Sequence, residues 1–170
     1  MKRALYLAFF LAVVSALAGG ALALTNELTY DKISGNKIAA DKASLEVIYP
    51  GADFAAVEGV EDATGLIKNV YTAGDSGYVY KLSVNGFAGT GSIEFMIGLG
   101  TNGKVDGFTV ISCGDTKGIG DKVTGDDFKN SIVGKEVGAT IDTISGATVS
   151  STAVVGGIDA AFAHYEANYK

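Results

Sequence analysis

The segment of this chain best suited to chemistry is Asp142-Thr143-Ile144-Ser145-Gly146-Ala147-Thr148, followed by Val149-Ser150-Ser151. It holds no base, no soft metal ligand and no activated thiol. It offers hydroxyls and small residues around Thr148, with the acid Asp142 six positions upstream. Such a threonine is suited to being modified by something else. Gly146 and Ala147 leave room for a bulky group to approach the backbone closely. Thr148, Ser150, Ser151 and Thr152 are capping types ahead of an apolar helical run, so free backbone N–H groups should point toward this spot. A helix N-terminus is a natural seat for a phosphate. Taken alone, the same residues also describe an ordinary Ser/Thr-rich helix cap without a cofactor.

The remaining reactive side chains narrow the chemistry further. One cysteine, Cys113, cannot form an internal disulfide, and with the single histidine, His164, it cannot ligate an iron–sulfur cluster or a structural zinc. A redox role would therefore need an organic cofactor. His164 falls in the last helix as a surface residue, which argues against a hydrolase. Asp121, Asp126 and Asp127 are read more simply as helix-capping acids than as a cation site. No residue is assigned a catalytic or metal-binding role.

These groups need elements to position them. Ala43–Tyr49 has helical spacing and is stopped by Pro50-Gly51. Leu66–Tyr71 and Tyr78–Val84 read as strands around a Gly74-Asp75-Ser76-Gly77 turn. Ser92–Leu99 and Lys104–Ser112 form a hairpin around Thr101-Asn102-Gly103, since Asn-Gly favours the left-handed turn. Ile93, Phe95 and Ile97 alternate with Glu94 and Met96, which predicts one buried face. Cys113–Lys122 is a glycine-rich loop, Asp126–Ile132 a short helix capped by Thr124 or Asp126, and Gly138–Ile144 extended. Ser151–Tyr169 is an amphipathic helix with Val154, Ile158, Phe162 and Tyr165 on one stripe. Strands in the middle with helices at both ends predict an antiparallel α+β domain. No βαβ period or Gly-x-Gly-x-x-Gly turn supports a Rossmann fold.

Leu5–Leu24 is uncharged and follows Lys2 and Arg3. As a helix it rises about 30 Å, enough to cross a bilayer. The competing reading is a signal peptide cleaved after Ala16-Leu17-Ala18 or Ala21-Leu22-Ala23. The apolar run passes straight through the first triplet, which favours a retained anchor. In either case the basic start sets the rest of the chain outside the cytoplasm. The organisation expected is an anchor over 1–24, a stalk over 25–42 and one domain over 43–170. Beyond Lys2 and Arg3, 11 basic residues face 19 acidic ones, a formal charge of −8. That disfavours nucleic acid and anionic headgroups as partners.

The Asp142–Thr148 segment resembles the flavin-attachment motif of the FMN-binding domain family, Asp-x-x-Ser/Thr-Gly-Ala-Thr, in which the last threonine carries FMN through a phosphoester. Two other segments are similar to that family in the same order. Asn85-Gly86-Phe87-Ala88-Gly89 leads into the hairpin, and Asp115-Thr116-Lys117-Gly118-Ile119-Gly120 follows it where the family typically reads Glu-Thr-Pro-Gly-Leu-Gly. Asp115 replaces Glu, and Lys117 replaces the proline that would fix φ. Cys113 stands where relatives often carry His and takes no family role. Within the family, nearly the whole chain is similar to the G subunits of Rnf-type ion-translocating ferredoxin:NAD⁺ oxidoreductase complexes. The C subunits of sodium-pumping NADH:quinone reductases share the domain.

The resemblance implies covalent FMN on Thr148, with Asp142, Ser145, Gly146 and Ala147 read by a flavin transferase. Thr116, Gly118 and Gly120 would let the loop backbone lie against the ring or phosphate. It further implies an electron-carrying subunit, not catalytic alone, whose partners are the other membrane and peripheral subunits of such a complex. The rival readings are a non-redox extracytoplasmic binding or scaffold domain and a C-type quinone reductase subunit.

Overall fold

The computed structural model describes residues 2–169, and within its first helix the side chains at 2–5, 8 and 23–37 lie outside that description. The chain separates into two compact units, 1–39 and 40–170. Helix α1 spans Lys2–Ile48, longer than the segment expected at Ala43–Tyr49, because no proline or capping glycine interrupts the chain before Pro50-Gly51. In the first unit Tyr6, Leu7, Phe9, Phe10 and Leu11 are exposed in succession, so the helix is apolar around its circumference there. Among the described residues no helix is long and apolar enough to cross a membrane. The anchor expected over 1–24 rests in part, and the stalk over 25–42 mostly, on residues outside the description.

The second unit is built on a five-stranded antiparallel meander, β1 (Phe54–Val57), β2 (Ile67–Ala73), β3 (Gly77–Gly86), β4 (Gly89–Gly100) and β5 (Val105–Cys113), in that spatial order. The architecture is α+β, as the order of elements implies. The β4–β5 tip turns at Gly103, whose φ of +74° fits the Asn-Gly reading. β1 is too short and too alanine-rich to show in the sequence pattern.

One face of the sheet carries helix α3 (Thr148–Tyr169) and helix α2 (Asp126–Ile132). Cross-strand partners Tyr80 and Ile97, Leu82 and Phe95, Val84 and Ile93 bury against Val154, Ile158, Ala161 and Phe162. Phe108 of β5 links Phe95 to Phe128 of α2, with centroids 5.4 Å and 6.0 Å away. Gly157 sits where a Cβ would lie 2.8 Å from Val84 and 2.9 Å from Phe95, so its absence lets α3 approach the sheet closely.

The other face is buried as well, which simple alternation does not reveal. Met96 is fully buried, and the paired Gly98 and Gly107 open a groove for Ile48 at the end of α1. A polar cluster fixes that end. Asp41 accepts a hydrogen bond from Tyr71 (2.7 Å) and one from the ammonium of Lys81 (2.8 Å), with the Asp41 side chain 8% and Lys81 19% exposed. Asp41→Ala leaves a buried phenol and a mostly buried cation without their acceptor. The expected loss is about 3 kcal/mol, read as a lowered urea midpoint at unchanged slope.

α2 covers Asp126–Ile132 as expected, but neither Thr124 nor Asp126 caps it. Gly125 is the N-cap, without a side-chain cap bond, and the Thr124 hydroxyl donates to the Asp121 carbonyl at 2.7 Å. That bond belongs to a 3₁₀ turn over Gly120–Thr124, which buries Val123 where the sequence pattern shows only loop.

Candidate functional site

The site begins with how the chain enters α3. Ala147 N–H donates to the Ile144 carbonyl (2.9 Å), closing a turn with Ser145 and Gly146 at its centre. Gly146 has φ +78°, the conformation glycine supplies without steric cost. Ser151 is fully buried and does not begin the helix. Its hydroxyl accepts from Ile144 N–H (2.9 Å) and donates to the Ala147 carbonyl (2.9 Å), clamping the turn to the first helical turn. The helix starts three residues earlier than its apolar stripe suggests, at Thr148. The N–H groups of Thr148, Val149 and Ser150 have no protein acceptor among the described residues, as expected of a first turn. Thr148 is exposed.

Beside this turn lies a cleft of about 320 Å³, lined by Phe87, Thr116, Ile119, Gly120, and by Gly146 to Ser150. Three chain segments far apart in sequence therefore meet: the β3–β4 tip, the loop after β5, and the start of α3. Of the residues singled out from the sequence, Thr148, Gly146, Ala147, Thr116 and Gly120 line the cleft. Gly118 does not. It is exposed at φ +79°, and its N–H donates to Asp121 at 2.7 Å. Ser145 in the turn and Asp142 upstream of it are both exposed and lie outside the lining.

Sequence reasoning missed the apolar rim. Phe87, Ile119 and Val149 are 71%, 55% and 56% exposed, a costly display for large hydrophobic side chains unless something covers them. The signal was present: Phe87 and Ile119 are bulky residues in glycine-rich turns, where no core needs them. Lys122 carried no such signal. Its ammonium lies 3.5 Å from where a Cβ on Gly146 would stand.

Asp115 joins the three segments. Its carboxylate is 5% exposed and accepts hydrogen bonds from Phe87 N–H (2.9 Å), Ala88 N–H (2.9 Å) and the Ser150 hydroxyl (2.5 Å). Gly86 and Gly120 are the room it needs. A Cβ at Gly86 would collide with the carboxylate, and one at Gly120 would lie 2.6 Å from Asp115 Cβ and 2.7 Å from Ser150 Oγ. Burial pushes the Asp115 pKa up, but the donors Ser150, Ala88 and Phe87 outweigh it and hold the group at about 2, against an ordinary 3.8. Because the folded pKa is depressed, this contribution is present above about pH 4 and fades as pH falls through about 2. It amounts to roughly 2 kcal/mol. Urea titrations from neutral to acid pH should show that loss, and Asp115→Asn should remove its share of the slope.

The cleft can therefore take a ligand with an apolar planar part and an anionic tail. Its volume is at the lower end of ordinary ligand pockets, roughly 300 to 1,000 Å³, so part of such a ligand would remain accessible. The donor set fits FMN: apolar walls for a ring, open N–H groups and a lysine for a phosphate, and an exposed hydroxyl at the mouth.

Comparison with known proteins bears on the same region. A family model described as the FMN-binding domain matches residues 86–163, which include all three cleft segments. The G subunit of the Na(+)-translocating ferredoxin:NAD(+) oxidoreductase complex of Acetobacterium woodii is 29% identical over 189 residues, 94% of this chain and 90% of that protein. The G subunit of the ion-translocating oxidoreductase complex of Methanosarcina acetivorans is 32% identical over 164 residues, covering 88% and 87%. Its counterpart in Stutzerimonas stutzeri is 31% identical over 182 residues, covering 92% and 78%.

Proposed function

The chain belongs to the family of G subunits of ion-translocating oxidoreductase complexes, and we propose from this premise that it is an electron-transfer flavoprotein subunit carrying FMN esterified to Thr148. The observation that carries the attachment reading is the exposed Thr148 at the mouth of the cleft, on the first turn of α3. FMN would supply the capacity to take up and pass on electrons; the protein supplies attachment, orientation and environment.

Each wall then has a task. Phe87, Ile119 and Val149 would pack against the ring and exclude water from it. The free N–H groups of Thr148, Val149 and Ser150 and the ammonium of Lys122 stabilise the phosphodiester. Gly146 and Ala147 keep the approach to Thr148 open. Thr116 and Gly120 contribute the opposite wall. Asp142 and Ser145 lie outside the cleft, so recognition by a flavin transferase is the role left for them. Gly118 serves the loop through its left-handed backbone.

The protein acts within a complex whose other subunits receive and supply its electrons, since a flavin held in one small domain cannot by itself couple ferredoxin:NAD⁺ chemistry to ion movement. The uncharged run Leu5–Leu24 behind Lys2 and Arg3, exposed along its described length, supports a single membrane-crossing anchor with the flavin domain outside the cytoplasm.

The direct test is chemical. Protein made together with a flavin transferase is denatured, freed of small molecules and digested. Flavin absorbance and the added mass should stay with the peptide that contains Thr148. A colourless denatured protein, or flavin on another peptide, defeats the assignment.

A further inference from the structure

The cleft has a feature that holding a cofactor does not require. Asp115 fastens the β3–β4 tip to α3 with both carboxylate oxygens, Oδ2 accepting from Phe87 N–H and the Ser150 hydroxyl and Oδ1 from Ala88 N–H, and these donors are all neutral. Neutral donors solvate a charge without cancelling it. No cation forms an ion pair with Asp115 among the described residues; the ion pairs Lys42–Glu46 and Lys81–Asp41 lie elsewhere. The carboxylate packs against Gly120 and Ser150, which are themselves walls of the cleft, so the negative charge sits directly behind the cleft surface. It is almost wholly out of water, where screening is weak.

We propose that Asp115 is a fixed redox-tuning charge, lowering the reduction potential of the flavin held in this cleft. The inference rests on the flavin reading above. An electron entering the ring adds negative charge beside a carboxylate that cannot move away, because three hydrogen bonds and two glycines lock it in place. The oxidised state is thereby favoured, and the carrier becomes a stronger reductant once loaded. Lys122 approaches Gly146 but is not among the residues that line the cleft, and it forms no ion pair with Asp115 among the described residues.

The test is a spectroelectrochemical titration of the flavinylated full chain. Asp115→Asn should shift the midpoint potential upward across the neutral pH range. Asp115→Glu, which keeps the charge, should remain near the parent value. Ser150→Ala removes a donor while leaving the carboxylate, so the potential should stay or move down, and this variant keeps the idea testable should Asp115→Asn fail to fold. Asp75→Asn removes a charge at the opposite end of β3 and should change nothing. An upward shift in Ser150→Ala would assign the effect to loosened structure and overturn the proposal, whether or not Asp115→Asn folds. An unchanged or lowered potential in Asp115→Asn would overturn it too. Flavin loading is read separately by mass and colour: a protein without flavin defeats both readings, whereas a loaded protein with the wrong sign of shift defeats only this one.

Discussion

Thr148→Ala abolishes covalent flavin and leaves the domain folded. Both halves of this expectation come from how the start of α3 is held. The turn into the helix depends on Ala147 N–H to Ile144, on Ser151 bonded to Ile144 and Ala147, and on Ser150 bonded to Asp115. The Thr148 side chain takes no part in these bonds, and the cleft leaves its hydroxyl accessible. Losing its hydroxyl should cost no more than about 1 kcal/mol, the range for a helix-end residue. The chemical loss, in contrast, is complete, because the neighbouring hydroxyls are poor substitutes. Ser150 and Ser151 are buried and engaged, and Ser145 lies outside the cleft. Thr148→Ser restores a hydroxyl at the same place and should recover part of the flavin. The check is flavin absorbance per mole of denatured protein beside a thermal melt. Undiminished covalent flavin in Thr148→Ala would remove Thr148 as the attachment point, and an unfolded variant would mean that Thr148 supports the turn in a way its contacts do not reveal.

Much of this arrangement is legible in the sequence because local rules dominate it. Asn102-Gly103 specifies a hairpin tip, Pro50-Gly51 stops α1, and Asp126–Ile132 forms the helix its spacing describes. The limits of local reading are equally specific. Met96 looks like a solvent-facing position because alternation reports one face at a time, and burial of the second face depends on where the end of α1 docks. Gly118 and Gly120 are indistinguishable as letters in a glycine-rich loop. Only the fold separates a glycine that needs a left-handed backbone from one that needs space. Asp115 draws no role from its sequence surroundings because it differs from the family's usual Glu and lies 35 residues from Ser150, a separation across which no sequence spacing speaks. The apolar rim is legible only in part: Phe87 and Ile119 stand out as bulky residues in glycine-rich turns, but exposure, unlike type, belongs to the folded state, and Val149 gives no such hint.

The difference between the two loop glycines leads to the largest stability effect. Gly120→Val should destabilise the domain by about 3 kcal/mol or more and empty the cleft of tightly held flavin. A Cβ there would stand 2.6 Å from Asp115 Cβ and 2.7 Å from Ser150 Oγ, so Asp115 must move and its three hydrogen bonds must stretch or break. Overpacking of a filled site costs roughly 1–3 kcal/mol, and an unsatisfied buried carboxylate adds to it. Release of the Asp115 bonds also frees Phe87 and Ala88, so the wall formed by the β3–β4 tip loses its position. Gly118→Ala is the matched comparison. Nothing lies within 4 Å of a Cβ at Gly118, and the cost there is the strained φ of +79°, about 1 kcal/mol. Urea unfolding at neutral pH should therefore rank parent above Gly118→Ala and both well above Gly120→Val. Acid titration should separate the mechanisms: Gly118→Ala retains the stability lost as pH falls through about 2, whereas Gly120→Val no longer has it to lose. Equal stabilities, or an intact acid transition in Gly120→Val, would show that the loop can accommodate a side chain without moving Asp115, and that the three segments around the cleft are held together by something other than its carboxylate.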